Sequence, residues 1–341
     1  MRGHAMVAAL AAVTCGCDGA SDRSFSGTPL STGDPLPLVA GPPVATLGGL
    51  EHDDEARFFE VVTDGVIVGD SLVVLLDVQA RRLKAFDVAG RPRWQAGGEG
   101  GGPGEFDDQP WRLFSVNEGS VYVAIATGRA NLYDAEGEVI AGVALPEWTG
   151  LFPQIYGALD GDPPVLVVGQ GVLRYGETGR DTMRVLALPL ESGAAVDTLL
   201  RLPGPEVIQV ELDGGLATTT DADAGGLIAA ARGGRIVTAG VDDSVRIRDG
   251  RGRIERTVAL PEAPPLEALV IGDDGWIRLM HRYVRGEEGR RWSVLDPATG
   301  QWSPEARHSG SILGFGRELL IGKRGGEFGE TLVDVLPSGV R

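Results

Sequence analysis

Two strings of this chain carry the same punctuation in the same phase. SVYVAIATGRANLYDAEGEVIAGVALPE begins at Ser120 and RIVTAGVDDSVRIRDGRGRIERTVALPE begins at Arg235. The turns Asp134 to Gly137 and Asp249 to Gly252 are 115 residues apart, and so are the two VALPE endings. Two features held in register over that distance define an internal repeat, and a repeat restricts the chain to architectures in which similar units stack. Each copy reads as an apolar strand, a gap, a strand ending in Asp, a glycine three residues later, and another strand. No window carries a three-turn amphipathic helix, because Gly, Pro and β-branched residues interrupt each candidate.

The pattern returns elsewhere. Leu72 to Asp77 (LVVLLD), Arg82 to Asp87 (RLKAFD) and Pro92 to Ala96 form one copy. Another starts at Trp276, with Asp296 placed 47 residues after Asp249, as Asp134 is 47 after Asp87. ELLIGKRGGEFGETLVDVLPSG starts a further copy at Glu318, and VLVVGQGVLRYG with MRVLALPLESGAAVDTLLRL supplies a divergent one between Leu151 and Gly204. That makes six units of roughly 40 to 60 residues, the size of a four-stranded propeller blade. The last unit is one strand short, and Val44 to Leu47 is expected to supply its outer strand. The expected fold is therefore all-β, a six-bladed β-propeller over residues 44–341 whose N-terminal strand completes the last blade.

GGEGGGPGEF, from Gly97 to Phe106, has no G-x-G-x-x-G register, no G-K-[ST] and no helix after it, and Glu99 and Glu105 oppose an anion. It reads as a joint between two units, with Phe106 tucked into the seam. GGGPGEF followed by Pro110, SVYV, LYD and Gly137 resembles the linker and blade of NHL-like six-bladed propellers, in particular bacterial lipoprotein propellers of the TolB-like group with a GEGPGEF signature. VVLLDVQARRLKAFDVAG, Val73 to Gly90, is similar to the NHL strand pattern, although Ile125 stands where the first unit has Asp77. The resemblance implies the architecture; its wider family includes lyases, lactonases and binding modules, so it assigns no reaction.

The termini and the charge place the chain. Arg2, an apolar run from Ala5 to Val13, and Thr14-Cys15-Gly16-Cys17-Asp18 have the order of a secretory signal over residues 1–17. Both cysteines lie here, so they cannot staple the fold. Cys17, preceded by Gly16, resembles a lipobox cysteine and is the expected lipid attachment site; Cys15, or a plain cleaved signal with incidental cysteines, is the other reading. Residues 18–43, rich in Gly, Pro, Ser and Asp, read as a flexible tether. The expected location is extracytoplasmic: a bacterial membrane-anchored lipoprotein of the cell envelope, or a secreted protein. The net charge of −17, with Lys84 and Lys323 the only lysines, disfavours nucleic acid.

Chemistry is sparse. No G-x-S-x-G or H-E-x-x-H occurs. His4 lies in the signal, His52 in a linker and His308 in a loop, which leaves His281, beside Arg282, Tyr283 and Arg285, as the candidate channel-lining group. Asp221-Ala222-Asp223 begins like a calcium loop but reaches Arg232 at its twelfth position. Asp242-Asp243 and Asp273-Asp274 read as turn residues facing water. No carboxylate pair is singled out, and no cofactor is expected. The sequence thus points to a monomeric binding or scaffold module for an envelope protein, peptide or glycan, with a metal-dependent propeller lyase or lactonase as the alternative.

Overall fold

The computed structural model describes residues 24–25, 36–49, 57–146, 154–173, 177–212, 215–220, 228–239, 243–260, 266–283, 285, 289–327 and 330–340. Cys15, Cys17, the signal segment, His4, His52 and Asp221 to Asp223 lie outside them.

Two short strands, β1 (Ser24–Phe25) and β2 (Leu36–Pro37), precede β3 (Ala45–Gly48). Four-stranded antiparallel meanders then follow one another. The first holds β4 (Val62–Val68), β5 (Leu72–Asp77), β6 (Arg82–Asp87) and β7 (Pro92–Gly97). The second holds β8 (Arg112–Val116), β9 (Val121–Ala126), β10 (Arg129–Asp134) and β11 (Val139–Ala144). Next come β12 (Gln154–Leu159), β13 (Val165–Gly171), β14 (Gly179–Pro189) and β15 (Asp197–Leu212), extended by β16 (Gly215–Thr220). After them run β17 (Ile228–Gly233), β18 (Arg235–Ala239), β19 (Ser244–Asp249) and β20 (Ile254–Ala259); parallel pairing of β12 with β17 fuses these two meanders into one sheet, to which β1, parallel to β20, adds a tenth strand. The chain continues through β21 (Leu266–Ile271), β22 (Ile277–His281), β23 (Arg290–Leu295) and β24 (Ala306–His308), then β25 (Ser311–Phe315), β26 (Leu319–Gly325) and β27 (Thr331–Pro337). The fourth strand beside β27 is β3, one residue downstream of the expected Val44 to Leu47, in antiparallel register from Ala45–Val335 to Gly48–Leu332. The first strand of each meander lines one common cavity, and the molecule is a β-propeller.

Burial follows from this stacking. Val73, Val74, Leu75 and Leu76 of β5 are all fully buried, since a middle strand is covered by a neighbouring sheet on each face and needs apolar side chains without alternation. The outer β7 and β11 carry alternating or exposed positions instead. Asp77 at the end of β5 is buried as well. It accepts the amides of Glu60 (3.2 Å) and Val61 (3.0 Å) and pairs with buried Lys84 at 3.3 Å, so the charge is compensated where it sits.

The Asp-x-x-Gly punctuation has a local cause. One carboxylate oxygen of Asp87 takes the amides of Ala89 and Arg91; Asp134 does the same for Glu136 and Glu138, and Asp249 for Arg251 and Arg253. The closing glycines Gly90, Gly137 and Gly252 have φ of 84°, 85° and 80°. Space reinforces conformation, since a Cβ on Gly137 would sit 2.6 Å from the Trp94 ring of the preceding meander.

The linker folds as a joint. Phe106 is fully buried in one apolar cluster with Leu76 and Leu83 of the first meander and Tyr122 and Tyr133 of the second. Arg81 donates to the carbonyls of Phe106 and Asp107, Asn131 to that of Glu105, and the Tyr133 hydroxyl to that of Gly104 at 2.7 Å. The amide of Gly102 is taken by the Glu105 carboxylate at 2.8 Å, which occupies a position where an anion would have to bind.

The end of the expected tether behaves otherwise. Leu36–Pro37 pairs in parallel with β24, and Leu38 is buried against Trp292, Val294 and Ala306. An apolar side chain that finds a sheet edge and a core pocket stays there. No helix among the described residues is long and apolar enough to cross a membrane.

Candidate functional site

The inner strands run in one sense around the axis, so their first residues share one face, here the near face, and their last residues share the far face. Between the faces lies a cavity of about 660 Å³ lined by β4, β8, β12, β17, β21 and β25. This is within the usual range of roughly 300–1,000 Å³ for small-ligand sites.

At the far end the cavity is crossed by hydrogen bonds between units. Arg232 of β17 donates to the Ser115 hydroxyl of β8 at 3.0 Å and to the Asp273 carboxylate at 2.7 Å. The other Asp273 oxygen takes the Gly69 amide at 3.0 Å, and its own amide binds the Phe315 carbonyl. Asp274 holds buried Arg278 through two hydrogen bonds of 2.6 and 2.9 Å, with that guanidinium 4.5 Å from the Phe315 ring. Asp273 and Asp274 therefore do not face water as expected. Asp273 bridges units through Arg232, the Gly69 amide and the Phe315 carbonyl, whereas Asp274 pairs within its own meander with Arg278 of β22.

The near end is open and polar. Thr63, Trp111, Gln154 and Glu267 stand at the starts of β4, β8, β12 and β21 with substantial exposure. Trp111 keeps 41% of its surface. The Arg112 guanidinium lies 6.0 Å from the centre of its ring and 4.0 Å from the Asp64 carboxylate. Glu267 pairs with Arg290 of β23.

Asp64 follows a bulge in β4 and accepts the amides of Gly65 (2.9 Å) and Leu113 (3.0 Å), which ties the first inner strand to the second. Loss of hydration inside the cavity pushes its carboxyl up to about 6, against the opposing pull of those amides and of Arg112. A raised folded-state value means that the native protein holds this proton more tightly than the unfolded chain, so the contribution of Asp64 is fully present below about pH 4 and is lost as pH rises through about 6. Wild-type stability, measured by denaturant unfolding relative to Asp64→Asn, is expected to fall by about 3 kcal/mol across that window. A difference between the two proteins that stays flat from about pH 4 to 7 contradicts this assignment.

His281, the sequence candidate for the channel, is not there. It lies on β22, the second strand of its meander, buried within the sheet, with Nε2 2.7 Å from the Ser293 hydroxyl of β23. Tyr283 and Arg285 are exposed beyond the end of β22, and His308 sits on β24. Among the described residues no group of three His, Cys, Asp or Glu side chains is arranged to hold a metal ion. The lining residues were missed because each comes from a different unit, with no shared local motif. The available signal was positional, in that the first residues after each linker begin an inner strand.

No protein-family model and no curated protein sequence matches the chain. Its fold is similar to that of a DUF4221-family protein from Bacteroides vulgatus, with a TM-score of 0.58 and 12% identity over 88% of this chain and 96% of that one. An exported protein of Bacteroides fragilis aligns at a TM-score of 0.49, with 11% identity over 92% of this chain and 99% of that one. The WD40 propeller domain of Doa1 aligns at 0.42, with 11% identity over 86% and 96%. At these identities the likeness concerns the fold alone.

Proposed function

We propose that this chain is a six-bladed, NHL-like propeller exported from the bacterial cytoplasm, lipid-anchored through Cys17, and that it acts as a binding module whose ligand enters the near mouth of the central cavity. The observation that carries the reading is the contrast between the two ends. The far end is spanned by Arg232, Ser115, Asp273 and Gly69, while the near end leaves Thr63, Trp111 and Gln154 exposed. A surface that keeps an aromatic and uncharged polar groups open at the rim of a cavity is built for contact. The anchor and the location rest on the N-terminal sequence.

The test is steric. Thr63→Arg with Gln154→Arg narrows the mouth, whereas Ile140→Arg with Ile254→Arg places the same added charge on the exposed outer strands β11 and β20. Immobilised proteins are challenged with fractionated protein, peptide and glycan pools of the cell envelope. Retention is expected to be lost with the first variant and kept with the second; equal retention by both sinks the reading. Stoichiometric bound metal in the purified protein, together with turnover of a lactone or uronide substrate, would favour the enzyme alternative. For the anchor, labelled palmitate is expected in the wild type and absent from Cys17→Ala.

A further inference from the structure

We infer that the near mouth selects an uncharged oligosaccharide, with Trp111 as the stacking platform; this rests on the docking reading above. Three observations converge. First, the charges at the rim face opposite charges: Asp64 has Arg112 at 4.0 Å, and Glu267 has Arg290. A ligand with net charge of either sign finds little unopposed field there, and its ion would have to displace an existing partner. Second, the groups left over are Thr63 and Gln154, a hydroxyl and an amide that both donate and accept, which suits hydroxyl groups better than ions. Third, Trp111 keeps 41% of its surface exposed on the same cavity as these polar groups, and the C–H face of a pyranose ring covers an aromatic surface while its rim hydroxyls reach outward. The Arg112 guanidinium, over that ring at 6.0 Å from its centre, supplies N–H donors beside the platform. An apolar ligand would leave these polar groups unmatched.

The full-length protein is titrated by calorimetry with cello-, malto-, xylo- and chito-oligosaccharides, and with oligogalacturonate and chitosan oligomers as anionic and cationic counterparts. At least one neutral series is expected to bind, with the charged series weaker. Trp111→Ala is expected to weaken binding about tenfold and Trp111→Phe much less, with thermal midpoints measured alongside so that lost folding is told apart from lost stacking. Absence of binding by every neutral series, preference for a charged one, or full affinity in Trp111→Ala overturns the inference. The docking reading falls separately, only if the Thr63→Arg, Gln154→Arg protein still retains envelope material.

Discussion

A chain beginning at Gly49 is expected to lose its cooperative thermal transition and to aggregate. Removing residues 1–48 takes away β3 and leaves β27 as a bare edge beside the first meander. It removes buried Leu47, packed against Phe59 and Val333, and buried Leu38, each worth about 2–5 kcal/mol. It also removes the 2.6 Å hydrogen bond from the Thr46 hydroxyl to the Asp334 carboxylate, worth about 1.5–3 kcal/mol. Their sum is comparable with the whole stability of an ordinary domain, about 5–15 kcal/mol. The milder Leu47→Ala is expected to fold with a stability lower by about 2–5 kcal/mol. A peptide spanning residues 42–49, added to the truncated protein, is expected to restore part of the transition by occupying the edge. Sharp unfolding of the truncated chain within a few degrees of the wild type would show that β3 is dispensable.

Phe106→Ala is expected to cost about 3–5 kcal/mol, read as a shift of the denaturant midpoint at unchanged slope. The ring is fully buried in the cluster that joins Leu76 and Leu83 of the first meander to Tyr122 and Tyr133 of the second. The linker cannot collapse to refill the space, because its carbonyls at Gly104, Glu105 and Phe106 are held by Tyr133, Asn131 and Arg81. Phe106→Leu, which keeps most of the volume, is expected to cost much less. A change below about 1 kcal/mol in Phe106→Ala would mean that the seam does not depend on this ring.

These two effects rest on the features that were most legible in the sequence. The Asp-x-x-Gly turns repeat because a carboxylate capping two nearby amides is a local device, written within five residues. The linker announces itself through composition. The cavity has no such local record. Asp64, Trp111, Arg112, Gln154 and Glu267 meet because separate strands start at one rim, and no two of those strands are neighbours in the chain. His281 was placed on the axis because an apolar strand does not say whether it is the first or second of its meander. Asp273 was placed in water because its partner Arg232 is 41 residues away. The boundary of the tether was overrun for a similar reason, since the edge of β24 that receives Leu36–Pro37 lies far along the chain.

The pairing of residues 45–48 with 332–335 also sets a schedule. A ribosome delivers this chain from its amino end, so every earlier meander can collapse while the ring is still a gapped arc. The first strand must then wait, unpaired, until nearly three hundred later residues have emerged, and contacts that distant are the slowest to form. Ring closure is therefore the last event of folding, and the latch falls only when β27 has been delivered.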